Sequence, residues 1–276
     1  MSVLEDIISG VREDLHDRRL RVGDAAIRAR AQAAPPARDA LAALGGHLDP
    51  SRRDQVLHVI SEVKRRSPSK GALADIPEPA VLARQYRDGG ASVISVLTEQ
   101  RRFGGSLADF DAVRAAVDTP LLRKDFTVDA YQIHEARAHG ADLVLLIVAA
   151  LDDEELGSFL DLTHDLGMNA LVETHTAEEV ERAVRVGARI IGVNVRNLKT
   201  LDVDRETGAR LSGDIPDSVV IVAESGIRGR EDVALYGSHG ADAVLVGEAL
   251  VKDNDPLTAL RSFIEAGSAA KPPRGR

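Results

Sequence analysis

The sequence predicts an α/β protein, a (β/α)8 barrel preceded by a helical extension. Two patterns predict this fold: a recurring Gly-Ala pair before apolar runs, and further apolar runs that alternate with segments of helical periodicity. The pairs are Gly90-Ala91, Gly140-Ala141, Gly187-Ala188 and Gly240-Ala241, spaced about 50 residues apart. Each glycine is expected just after a helix, where a left-handed backbone is needed, and each is followed by a buried strand.

Further apolar runs near residues 59, 121, 171 and 221 complete a set of eight strands. The strands are expected to begin near residues 56, 92, 120, 142, 169, 189, 219 and 242. Eight alternating strands and helices in 276 residues favour a closed parallel TIM barrel. The alternative, an open doubly wound sheet, would show fewer strands and usually a dinucleotide-binding glycine motif, which the sequence lacks.

The chain divides into three predicted parts. Residues 1–50 form an N-terminal helical extension, because Val3, Ile7, Val11 and Leu15 keep a helical period. We expect this extension to pack on the barrel, over its mouth. Residues 51–267 form the catalytic barrel, and residues 268–276 are expected to be a disordered tail.

Composition excludes several classes of function. The chain has 35 basic and 44 acidic residues and a net charge of −9, which argues against nucleic acid or an anionic membrane as the main partner. It has no cysteine, which excludes disulfides, thiolate catalysis and cysteine zinc sites. The first residues lack the pattern of a signal peptide, and no apolar run is long enough for a membrane helix, so we expect a cytoplasmic protein.

Histidine offers no metal site either. The spacing of His58, His134, His139 and His175 does not match any metal-ligand pattern. We therefore interpret these four side chains as structural or surface residues and expect no bound metal.

Polar side chains stand where the apolar runs end. In barrels of this kind the active site lies at the carboxyl ends of the strands, and strand residues two apart share a face. Five strands carry such groups: Glu62 and Lys64, Lys124 and Phe126, Glu173, Asn194 and Arg196, and Glu224-Ser225-Gly226. Any one of them could be a solvated rim residue. Several charges directed inward without a partner would cost about several kcal/mol each, so together they predict a functional cluster.

An anion site is predicted beside this cluster. Ser225-Gly226 and Gly247-Glu248 follow the seventh and eighth strands, where barrels commonly bind phosphate through backbone N–H groups. The loop after the first strand adds Ser67 among basic residues. Ordinary turn glycines and a plain surface loop are the alternatives. Phe103, in a glycine-rich loop after the second strand, would stack on an aryl substrate or plug the mouth.

Seven segments together resemble the indole-3-glycerol-phosphate synthase family. In order they are ISEVKRRSPSKG, SVLTEQRRFGGS, LLRKDF, DLVLLIVAAL, LVETH, IIGVNVRNLKTLDVD and VAESGI, within residues 56 to 254. The resemblance implies a small-molecule substrate, 1-(2-carboxyphenylamino)-1-deoxyribulose 5-phosphate, which is converted to indole-3-glycerol phosphate, carbon dioxide and water. It implies neither a metal nor an organic cofactor. We expect a monomer or a weak homo-oligomer.

The resemblance also implies roles for individual residues. The catalytic set would be Glu62, Lys64, Lys124, Glu173, Asn194 and Ser225, with Lys124 as general acid, Glu173 as general base and Lys64 as second acid or substrate anchor. The substrate-binding set would be Ser67, Phe103, Phe126, Arg196, Leu198, Glu224, Gly226, Gly247 and Glu248.

Two positions depart from the family pattern. Val63 stands where many relatives have an aromatic residue, but its side chain should face away from the site. Glu248 stands where many have Ser, so phosphate contact there must come from the amide.

Two other functions remain open at this point. Lys124 could be the Schiff-base lysine of an aldolase, or the barrel could bind a phosphorylated ligand without turnover. The neighbouring phosphoribosylanthranilate isomerase would be expected to use a Cys and Asp pair, and this chain has no cysteine.

Overall fold

The computed structural model describes residues 2–46, 55–68, 71–73, 76–196, 211–252 and 254–272. Eight parallel strands close into a barrel in which each strand pairs with the next and the first pairs with the last. The strands are β1 His58–Val63, β2 Val93–Leu97, β3 Leu121–Lys124, β4 Leu143–Ile147, β5 Asn169–Thr174, β6 Ile190–Asn194, β7 Val220–Glu224 and β8 Ala243–Val246. The predicted fold is therefore confirmed, and each predicted start lies within two residues of the observed one.

Helices precede the barrel and follow its strands. They are α1 Val3–Arg21, α2 Asp24–Ala33, α3 Ala40–Ala43, α4 Pro79–Gly89, α5 Leu107–Ala116, α6 Ala130–Ala138, α7 Asp153–Asp165, α8 Ala177–Arg185, α9 Arg230–Ser238, α10 Glu248–Val251 and α11 Pro256–Ala270. A 3-10 turn spans Val148–Ala150, and a small hairpin of Arg66–Ser67 and Gly71–Ala72 follows β1.

The repeated glycines end four of these helices. Gly90, Gly140, Gly187 and Gly240 have φ values of 99°, 82°, 82° and 88°, the left-handed region that glycine adopts at little cost. A strand begins three residues after each of them. The repeated Gly-Ala pair in the sequence thus marks the point where each of these helices ends before the next strand.

The apolar core has two layers. The outer layer lies between the strands and their helices and includes Val63, whose side chain faces away from the barrel interior as expected. The inner layer fills the barrel, with residues such as Ile60, Leu122 and Leu171, and it continues into α1 through Leu4.

The N-terminal extension contacts both ends of the barrel. Helix α1 packs at the mouth, whereas the segment around α3 packs beneath the opposite end. There the N–H of Arg38 donates to Asp142 at 2.7 Å and the N–H of Leu41 donates to the Asn169 side chain at 3.2 Å. These contacts fix the extension along the wall of the barrel.

The predicted start of the disordered tail at residue 268 is wrong. Helix α11 continues to Ala270, because residues 268–270 favour a helix and the end of the helix is bonded to the barrel. The Ser268 hydroxyl accepts the N–H of Leu57 at 2.9 Å, and the ammonium of Lys271 donates to the carbonyl of Val56 and to Asp242. The described chain is therefore anchored at least to Lys271.

Among the helices of the described residues, none combines the length and the apolar character needed to cross a membrane.

Candidate active site

A cavity of about 190 Å³ opens at the carboxyl ends of the strands. Fourteen of the fifteen predicted site residues line it: Glu62, Lys64, Ser67, Phe103, Lys124, Phe126, Glu173, Asn194, Arg196, Glu224, Ser225, Gly226, Gly247 and Glu248. The remaining one, Leu198, lies outside the described residues. The alternation of strand residues accounts for this convergence, since pairs two apart on one strand point into the same space.

Lys124 lies between two buried carboxylates. Its Nζ is 3.4 Å from Oε2 of Glu173 and 3.4 Å from Oε2 of Glu224. Burial disfavours the ammonium, but the charges of Glu224, Glu173 and Glu62 outweigh burial and raise the pKa of Lys124 above its ordinary value. Lys124 is therefore held as a cation in the wall of the cavity.

The pKa values of the two carboxylates shift in opposite directions. Burial, together with the nearby charge of Glu173, raises the pKa of Glu224 to about 8 even though Lys124 opposes this. For Glu173, burial raises the pKa, but Lys124, His175 and Asn194 outweigh it and lower the pKa overall. The two carboxylates therefore titrate as a pair around Lys124, and Glu173 loses its proton at a lower pH than Glu224 does.

A glycine makes room for Glu224. A Cβ added at Gly192, on the neighbouring strand β6, would lie 2.1 Å from Oε1 of Glu224. That oxygen is buried and has no hydrogen-bond partner among the described residues. The carboxylate of Glu224 can therefore occupy this position only because residue 192 has no side chain.

A second lysine also lines the cavity. The ammonium of Lys64 forms a close ion pair with Oε1 of Glu62, whose side chain is buried. The hydroxyl of Tyr86 donates to the backbone carbonyl of Glu62 at 3.2 Å, and a Cβ at Gly247 would lie 3.0 Å from Glu62 Oε1. Glu62 is thus fixed from two sides and holds Lys64 in place.

Aromatic rings form one wall. The centroids of Phe103 and Phe126 are 6.1 Å apart, with the rings tilted by 39°. The loop that carries Phe103 is organised by Glu99, a buried residue that the sequence analysis did not single out. Its carboxylate accepts the N–H groups of Arg101 at 3.1 Å, Arg102 at 2.7 Å and Phe103 at 2.9 Å.

Helix α1 covers the same wall. Val3, Leu4 and Ile7 line the cavity, which agrees with the expectation that the extension lies over the mouth. The two arginines of the Glu99 loop reach back to this helix: Arg101 pairs with Glu13 and Asp14, and Arg102 pairs with Asp6. The loop and the helix therefore form a continuous edge of the site.

Tight turns form the opposite rim. Ser225 and Gly226 have φ values of 71° and 72°, and the carbonyl of Ser225 accepts the hydroxyl of Tyr236 at 3.1 Å. A left-handed conformation at a serine is strained and is most often found at functional positions. Gly247 and Glu248 begin the short helix α10, and the N–H of Arg196 donates to the Asn194 side chain at 3.0 Å.

The histidines have different surroundings. His58 bonds Ser92 and His139 pairs with Asp111, in agreement with structural or surface roles. His175, in contrast, lies directly behind Glu173, with Nε2 3.4 Å from Oε1 of Glu173. Within the described ranges, no group of three or more potential ligands could hold a metal ion.

The fold and the site define a (β/α)8-barrel enzyme whose polar centre consists of lysine and glutamate side chains. A family model described as indole-3-glycerol phosphate synthase matches residues 4–263. The chain belongs to the indole-3-glycerol phosphate synthase family.

Individual relatives agree with this assignment. An indole-3-glycerol phosphate synthase of Arthrobacter sp. (strain FB24) is 69% identical over 270 residues, which cover 98% of each chain. One of Micrococcus luteus is 66% identical over 264 residues, 95% of this chain and 97% of the relative.

Solved structures with low sequence identity show the fold alone. A thiamine phosphate pyrophosphorylase from Pyrococcus furiosus has a TM-score of 0.58 and 16% identity, covering 78% of this chain and 97% of that one. A 3-hexulose-6-phosphate synthase from Salmonella typhimurium has a TM-score of 0.60 and 17% identity, covering 78% of this chain and all of the other.

Proposed function

We propose that the chain converts 1-(2-carboxyphenylamino)-1-deoxyribulose 5-phosphate to indole-3-glycerol phosphate, carbon dioxide and water, a carboxy-lyase step of tryptophan biosynthesis. The observation that carries the proposal is the ammonium of Lys124, held between Glu173 and Glu224 in the wall of a cavity that also contains two phenylalanine rings. Family membership supports the same reaction, since the relatives carry this name.

Lys124 is the general acid for ring closure. When the aryl carbon attacks the ketone, negative charge develops on the ketone oxygen, and a buried cation stabilises that charge and donates a proton. The raised pKa of Lys124 keeps the donor protonated between turnovers. Decarboxylation then restores the aromatic ring.

Glu173 is the general base for dehydration. Its lowered pKa keeps it ionised, so it can accept the proton that the ring must lose. Lys64, held by Glu62, serves as the second acid or as a substrate anchor. Asn194 supports Glu173 as a hydrogen-bond donor.

The remaining residues bind the two ends of the substrate. Phe103 and Phe126 pack on the anilino ring, and Arg196 lies near its carboxylate. Backbone N–H groups of Gly226, Gly247 and Glu248, with the hydroxyl of Ser67, surround the phosphate, whereas Ser225 belongs to the catalytic set. All of these residues line the one cavity. The side chain of Glu248 is anionic, so its contribution comes from its amide.

The aldolase alternative is disfavoured by the charge of Lys124. A Schiff-base lysine must attack as a neutral amine, but the carboxylates of Glu173 and Glu224 hold this one as an ammonium. Borohydride in the presence of a carbonyl substrate would trap a lysine adduct in an aldolase and leave the synthase unmodified. A barrel that binds without turnover would show affinity for the sugar phosphate but form no indole.

The deciding experiment is incubation with the carboxyphenylamino sugar phosphate while indole fluorescence is recorded. We expect Lys124→Ala and Glu173→Gln each to lower turnover by about 100-fold or more, as for lost acid–base groups. Lys252→Ala is the control, since Lys252 is exposed and lies outside the residues that line the cavity. Near-normal turnover in both site variants would remove the assignment.

A further inference from the structure

Glu173 is contacted on both oxygens. Oε2 faces Nζ of Lys124 at 3.4 Å, whereas Oε1 lies 3.4 Å from Nε2 of His175, a buried nitrogen that makes no hydrogen bond among the described residues and is therefore free to donate to Glu173. His175 does not line the cavity among the described residues, and its side chain is 10% exposed. The imidazole therefore lies behind the base, on the side away from the substrate.

The other face of the imidazole leads to the surface. Nδ1 of His175 is 3.3 Å from Oε2 of Glu179, and the N–H of His175 donates to the same oxygen at 2.7 Å. Glu179 stands in the first turn of α8, where its own N–H is capped by Thr176, and its side chain is 16% exposed. Lys124, Glu173, His175 and Glu179 thus form a row from the cavity wall to the protein surface.

The proposed reaction requires a path for a proton from solvent to the site. Two protons convert the ketone oxygen to water, and the ring returns one proton as the indole forms. The carboxylate leaves as neutral carbon dioxide, so each turnover takes up one proton from outside the site. A bound substrate fills the mouth, which leaves the opposite wall as an entry.

We propose that His175 and Glu179 deliver this proton to Glu173. The inference rests on the proposed function. A proton from solvent binds the Glu179 carboxylate and passes to Nδ1 of His175, and the imidazolium then donates from Nε2 to Oε1 of Glu173. When Lys124 donates both protons to the ketone oxygen and Lys64 is the substrate anchor, Glu173 passes first the ring proton and then this relayed proton to Lys124, so every group ends as it began. Imidazole suits this role because it accepts at one nitrogen and donates at the other.

The charges around the imidazole support this assignment. The groups that face it are Glu173 and Glu224 from the barrel and Glu179 from α8. Burial lowers the pKa of His175, but the bond to Glu179 and the charges of these three groups outweigh it and raise the pKa overall. The imidazole therefore takes up a proton readily near neutral pH.

The test removes the proton carrier at each of two positions while it keeps a polar side chain there. His175→Asn keeps a polar side chain behind Glu173 but cannot carry a proton, and Glu179→Gln keeps an oxygen for the N–H of His175. We expect His175→Asn to lower kcat by about 10-fold with KM within about twofold, and Glu179→Gln to lower kcat by several-fold. In His175→Ala, added imidazole should restore much of the lost kcat.

The outcomes separate this inference from the proposed function. No indole from the wild-type chain would refute the proposed function. Wild-type indole formation together with a normal kcat for His175→Asn, from about pH 6 to 9, would overturn the relay alone. If His175→Ala does not fold, the His175→Asn and Glu179→Gln results decide. His139→Asn is the matched control, since His139 pairs with Asp111 on the surface.

Discussion

The carboxylate of Glu99 accepts the backbone N–H of Phe103 at 2.9 Å, and so fixes an aromatic side chain of the cavity through its main chain. The same carboxylate bonds the two preceding N–H groups, and Glu99 is only 5% exposed. A buried charge with three donors makes the loop conformation costly to leave.

Replacing Glu99 should therefore weaken substrate binding more than chemistry. We expect Glu99→Ala to raise KM for the anilino sugar phosphate by about 10-fold while kcat falls less, because Lys124 and Glu173 are untouched. Steady-state kinetics of indole formation measure both constants. Glu154→Gln, on an exposed helix turn, should leave both unchanged. A lower kcat at unchanged KM would contradict this role for Glu99.

The close approach of Glu224 to Gly192 provides a second prediction. Gly192→Ala should displace Glu224, because the new Cβ would overlap its Oε1 and would also lie 3.2 Å from Leu171. We expect turnover to fall by about 10-fold or more and the free energy of unfolding to fall by roughly 1–3 kcal/mol. Gly157→Ala is the control, since a Cβ there meets nothing within 4 Å and Gly157 is in a helix. Equal turnover in the two variants would contradict the prediction.

The raised pKa of Glu224 predicts a pH-dependent stability. Its ordinary pKa of 4.5 rises to about 8 in the folded chain, so the folded state binds the extra proton between these values. The free energy of unfolding contributed by this group is therefore present below about pH 4.5 and is lost as pH rises to about 8.

Glu224→Gln removes the titrating carboxyl group, so its stability should not fall with rising pH as that of the wild type does. We expect its free energy of unfolding, relative to wild type, to increase between pH 5 and 8 by on the order of 2–4 kcal/mol and to level off above. Denaturant titrations across this range measure the difference, with Glu178→Gln as an exposed control. A difference that is constant with pH would show that Glu224 titrates normally.

Lys271 provides a test of the C-terminal anchor. Its side chain is 3% exposed, and its ammonium bonds Asp242 at 3.4 Å and the carbonyl of Val56 at 3.2 Å. Lys271→Met should lower the free energy of unfolding by about 1–3 kcal/mol, since a buried carboxylate loses a cation. The exposed Lys252→Met should cost little. A shift in thermal unfolding equal to that of the control would contradict the anchor.

Much of the barrel could be predicted from the sequence because its signals are local. A glycine before an apolar run marks the end of a helix and the start of a strand; this pattern located four of the eight strands, and apolar runs alone located the other four. The alternation of strand residues similarly predicted that pairs such as Lys124 and Phe126 would point into one space.

Other features depend on contacts that no local pattern encodes. Glu99 organises its loop because three N–H groups of that loop turn back onto its carboxylate. His175 is held beside Glu173 because Glu179, in the first turn of α8, accepts its backbone N–H. The end of α11 was placed too early because its bonds lead to β1, far away in the sequence. Proton affinities likewise followed only from the distances around Lys124.

The bonds of residues 268–271 have a consequence for how the molecule is made. They join the chain just before β1 to the last helix and to Asp242, at the seam where β1 meets β8. A ribosome releases these residues after all eight strands have emerged. We therefore expect the seam of a nascent molecule to lack these bonds, and to be more accessible to proteases, until α11 docks.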